Sequence, residues 1–154
     1  MRKRFLSTVL VLIMLLSLAP MSALADDTFR SGDFTFVIET GVACVKKYNG
    51  SSSSASVPSK VDYDGVTYKV RNIHQDAFKN CTTIQKLVLP ETVNRIGKQA
   101  FAGCKKINYF SVDSGNPVYT TIDGVLYNKP EKELVAYPTK LLDEIVQASE
   151  PVIS

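Results

Sequence analysis

The side chains that could carry out chemistry are few and poorly spaced for it. His74 is the only histidine among 154 residues, and the three cysteines are Cys44, Cys81 and Cys104. No cysteine stands at a distance from His74 that suggests a nucleophile pair, and the chain contains neither a Gly-x-Ser-x-Gly segment nor a phosphate-binding glycine loop. The sequence therefore predicts a protein that is not an enzyme and needs no cofactor.

Metal ligands are equally sparse. No Cys-x-x-Cys pair occurs. The Asp-Gly dipeptides at Asp64-Gly65 and Asp123-Gly124 are not followed by further Asp at the spacing of a calcium-binding loop. Each Asp-Gly pair lies between short β-rich runs, a context that favours a two-residue hairpin turn. We therefore predict two hairpins and no metal site.

The first 25 residues have the pattern of a secretory signal peptide. Three basic residues at positions 2–4 precede an uncharged, mostly apolar stretch, then Pro20 and the small-residue sequence of positions 23–25. Cleavage is expected before Asp26, which would leave a secreted protein that could associate with the cell surface. An uncleaved anchor is the alternative, but the apolar part is shorter than the ~20 residues that a bilayer span needs. No later segment is long and apolar enough to cross a membrane.

Export would place the three thiols in an oxidising compartment, where small disulfide-rich domains usually have an even number of cysteines. A bridge between Cys81 and Cys104 stays open as an alternative. The odd number favours unbridged, buried thiols that pack as small apolar groups.

An internal repeat organises the middle of the chain. Residues 70–89 align with residues 93–112 at an offset of 23 without a gap, with six identical apolar positions and two more that stay apolar. A period in the twenties with a constant apolar skeleton is typical of a solenoid, in which each coil stacks on the next. The predicted repeat core is Val70, Ile73, Ala77, Phe78, Cys81, Ile84, Leu87, Leu89, Val93, Ile96, Ala100, Phe101, Cys104, Ile107, Phe110 and Val112.

The sequence of each repeat also predicts the local structure of its coil. Residues 75–80 and 98–103 are expected to form single helical turns that direct a phenylalanine inward. Asn80 and Gly103 suit the left-handed residue that ends such a turn. Pro90 is expected to end the strand that precedes it.

The skeleton Val-x-x-Ile-x-x-x-Ala-Phe-x-x-Cys-x-x-Ile-x-x-Leu-x-Leu-Pro resembles the BspA-like, or Treponema pallidum-type, leucine-rich repeat. The most specific parts are Ala77-Phe78-x-x-Cys81 and Ala100-Phe101-x-x-Cys104. The resemblance implies a mostly β leucine-rich-repeat solenoid, here short, with helical turns and hairpin caps. It also implies an extracellular or surface-attached protein that acts in adhesion or partner binding and has no catalytic residues.

The flanks of the repeats are expected to close the solenoid. Residues 34–38 and 42–45 should form a hairpin that caps the first coil, and the polar run 50–56 should be an exposed, flexible loop. Apolar residues at positions 141, 142, 145 and 146 have helical spacing and could cover the open end of the stack. The predicted organisation is a signal peptide (1–25), a flexible N-terminus (26–32), a repeat domain (33–138, with repeats at about 70–92 and 93–115) and a C-terminal cap or truncated tail (139–154).

Positive charge is concentrated on the repeats. The formal net charge is +3, yet residues 1–25 hold three cations and no acid, which leaves the remainder neutral. Residues 69–110 contain two acids and eight cations, namely Lys69, Arg71, Lys79, Lys86, Arg95, Lys98, Lys105 and Lys106. This basic block could attract an anionic polymer or an acidic protein. The cations do not align at the repeat offset, which favours an ordinary solvated surface, and nucleic acid is not an expected partner of an exported chain.

The outward positions of the two predicted strands are the candidate binding site. Lys86, Val88, Tyr109 and Ser111 alternate with core residues and should form a small ribbon on one face. The leading hypothesis is a non-catalytic adhesion-type module that binds an extracellular protein or an anionic surface polymer through this ribbon. The alternative is a truncated or capping fragment of a longer repeat protein with a structural role only.

Overall fold

The computed structural model describes residues 27–138, and the regular structure within that range is entirely β. The strands are β1 (Thr28–Ser31), β2 (Phe34–Glu39), β3 (Val42–Tyr48), β4 (Ser54–Ser56), β5 (Lys60–Tyr63), β6 (Val66–Ile73), β7 (Lys86–Leu89), β8 (Arg95–Ile96), β9 (Tyr109–Val112), β10 (Tyr119–Ile122), β11 (Val125–Asn128) and β12 (Glu133–Ala136). They form three small sheets, of order β1-β2-β3-β6-β5 with β8 on β6, β4-β7-β9, and β10-β11-β12. The predicted signal peptide and C-terminal cap lie outside the described residues.

Two parallel ladders hold the coils together. In the first, Val45 of β3 is in register with Ile73 of β6, which is in register with Ile96 of β8. In the second, β4, β7 and β9 are stacked in the same way. Each ladder takes one strand from each successive coil, so the chain winds as a solenoid. The predicted mostly β repeat fold is therefore confirmed.

The serine-rich run contains β4, the strand that the first coil contributes to the second ladder. The prediction of a loop is therefore wrong for Ser54–Ser56. Ala55 is in register with Leu87 and is 4% exposed. Val57 is buried and its N–H donates to the Val88 carbonyl at 3.0 Å. The ladder partners of β4 lie 32 residues downstream instead of 23, because the β5–β6 hairpin is inserted between the first and second coils. Residues 51–53 remain exposed and outside any strand.

The predicted N-terminal flexibility is also wrong for residues 28–31, which form β1 on the edge of the first sheet. Phe29 explains the difference, because its ring stacks on Tyr63 at 4.1 Å and on Phe36 at 5.7 Å between centroids. A short polar sequence is thus ordered by one aromatic residue that finds partners far along the chain.

The turns that follow β6 and β8 are successive β-turns instead of the predicted helical turns. They are closed by bonds from an N–H to the carbonyl three residues earlier, as in Lys79 to Asp76 at 2.9 Å. Asp76 and Gln99 have φ of 61° and 60°, a left-handed conformation that a right-handed helical turn does not contain. Asn80 and Gly103, at φ 59° and 75°, are left-handed as predicted.

The three predicted hairpins are present. The β2–β3 hairpin covers the first coil, because β3 pairs with β6 in parallel. Asp64-Gly65 and Asp123-Gly124 form the two-residue turns of β5–β6 and β10–β11, with positive φ at all four residues. Positive φ at both central positions matches the twist of the flanking strands.

The core lies between the two ladders. A column of aromatic rings runs through it from the first coil to the third. Ring centroids are 5.6 Å apart for Tyr48–Phe78, 5.5 Å for Phe78–Phe101 and 5.3 Å for Phe101–Phe110. Twelve of the sixteen predicted repeat-core residues are buried. The other four are partly buried against this core, namely Cys81, Ile96, Phe101 and Val112.

Candidate functional site

The four predicted binding residues lie side by side on the sheet β4-β7-β9. Lys86 is in register with Tyr109, and Val88 is in register with Ser111. The residues between them point into the core, so Leu87 is fully buried while Lys86 and Tyr109 are exposed. Parallel pairing therefore places on one face four side chains that come from two different coils.

Two of these side chains, Lys86 and Tyr109, contact each other. The Lys86 Nζ lies 5.7 Å from the centroid of the Tyr109 ring, a distance at which a cation is attracted to the ring face. The turn of the β10–β11 hairpin packs on the same ring, since a Cβ atom on Gly124 would lie 2.8 Å from Tyr109 Cδ2. The Tyr109 ring is thus held in position while 45% of the residue remains exposed.

The structure adds two residues that sequence reasoning missed. Ser54 is in register with Lys86, and Ser56 with Val88, so each row of the ribbon is three residues long. The sequence offered one indication, because Ala55-Ser-Val57-Pro58 has the same pattern as Leu87-Val-Leu89-Pro90. From here on, the "strand face" denotes Ser54, Ser56, Lys86, Val88, Tyr109 and Ser111.

Charge on the strand face is limited to the single ammonium group of Lys86. Other cations of the basic block lie elsewhere: Lys69 pairs with Lys60 across the β5–β6 hairpin, and Lys79 is 3.4 Å from Asp76. Lys69 and Lys79 therefore add no charge to the strand face.

His74 occupies a turn and shows no catalytic arrangement in the described part of the chain. It is partly buried, and its Nδ1 lies 3.3 Å from the Gln75 carbonyl oxygen. The equivalent residue one coil later is Gly97, where a Cβ atom would collide with the Gln75 backbone. The difference between the two coils at this position therefore follows from backbone packing. No group of three or more His, Cys, Asp or Glu that could hold a metal occurs within residues 27–138.

The three thiols are unbridged and serve as packing groups. Cys44 and Cys104 are buried, and the Cys104 Sγ donates to the Phe78 carbonyl at 2.8 Å. Burial raises the pKa of Cys44 to about 11, with a smaller contribution from the Glu39 carboxylate. Burial also raises the pKa of Cys104 to about 11. Both thiols are therefore protonated at neutral pH and poorly nucleophilic.

These pKa values predict a loss of stability in alkali. An unfolded thiol has a pKa near 9.0, so between about pH 9 and pH 11 the unfolded state loses its proton first and gains stability. We expect the free energy of unfolding to fall by up to about 2 kcal/mol per thiol over this interval. Urea unfolding of wild type and Cys104→Ala at each pH measures the difference. A Cys104→Ala variant with the same pH dependence as wild type would contradict the prediction.

The turn of the third coil borders a concave feature of the described residues. A cavity of about 550 Å³ lies between the turn of the third coil and the end of β12. Tyr119 lines it and its hydroxyl accepts a hydrogen bond from the Ile96 N–H at 3.0 Å. No helix that could span a membrane occurs within residues 27–138.

Comparison with known proteins agrees with this architecture. The family model of the BspA type leucine rich repeat region (6 copies) matches residues 59–140, about half of the chain. No sequence among the curated proteins matches.

Two solved structures are similar to this chain. A leucine-rich repeat protein from Bacteroides capillosus ATCC 29799 is 32% identical with a TM-score of 0.52, over 56% of this chain and 65% of that protein. A leucine rich cell surface protein from Faecalibacterium prausnitzii A2-165 is 24% identical with a TM-score of 0.55, over 58% of this chain and 24% of that protein. This chain thus spans less than two thirds of either protein, and the second likeness supports the shared fold alone. Taken with the match over residues 59–140, the parallel coils and their Ala-Phe-x-x-Cys turns show that the chain belongs to the BspA-type leucine-rich repeat family.

Proposed function

We propose that this chain is a non-catalytic interaction module that binds a partner through the strand face. The observation that carries the proposal is the register of β7 with β9, which places Lys86 against Tyr109 above a fully buried layer. Tyrosine is enriched among residues that dominate binding energy, and an aromatic ring held in place loses little conformational entropy when it is covered. The strand face is small, so it suits a partner that makes a compact contact around one aromatic anchor.

The proposed location is outside the cell, secreted or on the cell surface. The sequence of residues 1–25 supports export, and the similar Faecalibacterium protein is described as a cell surface protein. The partner is then an extracellular protein or an anionic surface polymer. A protein is favoured, because the strand face combines one cation with an aromatic, an aliphatic and three hydroxyl side chains, whereas a polyanion would be better matched by several aligned cations.

The experiment compares recovery of ligands from cell-surface extracts by wild-type protein and by the double variant Lys86→Ala/Tyr109→Ala. We expect the double variant to lose about tenfold or more in apparent affinity, because truncation of an aromatic anchor typically costs at least ~2 kcal/mol. Lys106→Ala is the matched control, since it removes one exposed cation from the third coil outside the strand face.

Equal recovery by wild type and by the correctly folded double variant would contradict the proposal. That result would favour the alternative in which the chain has a structural role only, as a fragment or capping part of a longer repeat protein. Loss of binding in Lys106→Ala as large as in the double variant would show that general positive charge, and not the strand face, carries the interaction.

A further inference from the structure

Two of the three cysteines occupy equivalent positions in successive coils. Cys81 follows the turn of the second coil, and Cys104 follows the turn of the third. The Cys81 N–H donates to the Phe78 carbonyl at 3.1 Å. In the same way, the Cys104 N–H donates to the Phe101 carbonyl at 3.2 Å. Because both residues have the same local backbone arrangement, the repeat places their side chains at the same point of adjacent layers.

The backbones of the two turns approach each other closely beside these cysteines. The Asn80 N–H donates to the Ala102 carbonyl at 2.8 Å. A Cβ atom on Gly103 would lie 3.4 Å from the Asn80 Cα and would collide with the Asn80 side chain. Hydrogen-bonded layers of chain lie about 4.8 Å apart, and disulfides join Cα atoms about 4.4–6.8 Å apart. The spacing of the two turns is therefore suited to a disulfide.

The two thiols are in contact with each other. Their sulfur atoms are hydrogen-bonded, and the Cys104 sulfur also meets the Cys81 N–H. The Cys104 Sγ lies 2.8 Å from the Phe78 carbonyl oxygen, so this side chain of the third coil points back to the second. The same carbonyl accepts the Cys81 N–H, and it would keep this donor if the Cys104 thiol lost its proton.

The surroundings of the pair make Cys81 the thiol that an oxidant meets first. Cys81 is partly exposed, whereas Cys104 is 9% exposed. Burial raises the pKa of Cys81, but the Cys104 thiol and the Lys47 ammonium group oppose this rise. These two groups favour the thiolate, which is the form that attacks a disulfide. Cys44, by contrast, is 2% exposed within β3 and is close to the Glu39 carboxylate.

We propose that Cys81 and Cys104 are a site of reversible oxidation, at which a disulfide joins the second coil to the third. The oxidant is an external disulfide. The Cys81 thiolate attacks one of its sulfur atoms, which forms a mixed disulfide and releases one thiolate. The Cys104 thiolate then attacks the Cys81 sulfur and releases the second. The two protein thiols lose two electrons, the external disulfide becomes two thiols, and both protons pass through solvent to the released thiolates.

The contact between the two thiols makes the second step intramolecular, which offsets the small thiolate fraction of Cys104. The resulting bridge ties together the two coils whose strands carry Lys86 and Tyr109. A cross-link also restricts the unfolded chain, so the bridged protein should be more stable than the reduced one. This inference does not depend on the proposed binding function, since it concerns the coils themselves.

The experiment exposes the reduced, folded full chain to oxidised glutathione at pH 8. Thiols are then counted in denaturant, and the bridge is located by mass spectrometry of peptides. We expect the count to fall from three thiols to one, with a loss of two hydrogen atoms from the intact mass and a Cys81–Cys104 peptide pair. The urea midpoint should rise on oxidation, and dithiothreitol should reverse both changes.

Three variants serve as controls. Cys44→Ser should still form the bridge, because it leaves the pair intact. Cys104→Ser should stop at a glutathione adduct on Cys81, and Cys81→Ser should leave Cys104 unmodified. Circular dichroism of each variant establishes that the β-structure is retained.

Four results with the wild-type chain would overturn the proposal. The first is that all three thiols remain free, and the second is a glutathione adduct on Cys81 that Cys104 does not displace. The third is a bridge that includes Cys44 or joins two molecules. The fourth is a Cys81–Cys104 bridge that forms only in urea, which would show that the folded turns hold the two sulfur atoms apart.

Discussion

Replacement of Asn116 by alanine is expected to lower the free energy of unfolding by about 4 kcal/mol, although the residue lies in a loop. Asn116 is 1% exposed and uses both ends of its amide. The side-chain NH₂ donates to the carbonyls of Pro90 and Val93, both at 2.8 Å. The side-chain oxygen accepts from the N–H groups of Val118 at 2.9 Å and Tyr119 at 2.7 Å. Alanine would leave these four backbone groups without their partner.

Urea unfolding of the full chain measures this loss, with Asn108→Ala as the control. Asn108 is exposed in the third coil and has no side-chain hydrogen bond to another described residue, so its replacement should change stability by no more than about 0.5 kcal/mol. An Asn116→Ala variant that loses less than about 1 kcal/mol would show that the buried backbone groups find other partners.

The effect of Asn116 should also reach the strand face. The residue holds the start of the β10–β11 hairpin on the connection between the second and third coils, and the turn of that hairpin packs on Tyr109. Loss of the amide would loosen the hairpin and with it the position of the Tyr109 ring. Stability and binding are therefore linked at this point, because a loop residue positions the support of the aromatic anchor.

The second large effect is expected for Phe78→Ala, with a loss of about 4 kcal/mol in the free energy of unfolding. Phe78 is fully buried and contacts aromatic rings on both sides, with centroids 5.6 Å from Tyr48 and 5.5 Å from Phe101. Its removal would open a cavity in the middle of the aromatic column. Since each coil of a solenoid is stabilised by its neighbours, the cavity would weaken two interfaces at once.

A graded series tests this explanation. Phe78→Leu retains most of the apolar volume and should lose clearly less than Phe78→Ala, about 1.5 kcal/mol. Lys79→Ala, the adjacent exposed position, removes only a surface contact with Asp76 and should cost about 0.5 kcal/mol or less. Equal losses for the leucine and alanine variants would indicate that the specific ring contacts, and not the filled volume, stabilise the column.

The repeat could be predicted from the sequence because its apolar positions recur at a constant offset. The pairs Val70/Val93 and Ile84/Ile107 are identical, and any alignment of the chain with itself reveals them. Alternation along each strand then separates the core from the strand face, so the sequence assigns Lys86 and Tyr109 to one surface. The Asp-Gly turns were predictable for a similar reason, since few dipeptides adopt positive φ at both positions.

Strands β4 and β1 were not predicted, because β4 consists of serine and alanine, which do not favour strands, and β1 is four residues long with no alternating apolar pattern. Ala55 is buried only because the Leu87 strand lies beside it, and its ladder partner is displaced to 32 residues by an inserted hairpin. Phe29 orders the N-terminal strand through a ring on Tyr63, a contact across 34 residues that no local pattern encodes. The left-handed Asp76 and Gln99 likewise depend on how one coil's turn meets the next.

The sequence alone determined the period of the repeat, the identity of its core and the four residues first assigned to the strand face. These could be predicted because positions that are buried in every coil require apolar residues at a constant offset in the sequence. Only the tertiary structure revealed the buried amide of Asn116 and the contact that holds Tyr109. These features arise where segments distant in the chain meet. Their residue types are ordinary ones, and their roles follow from which backbone groups and rings the fold brings to them.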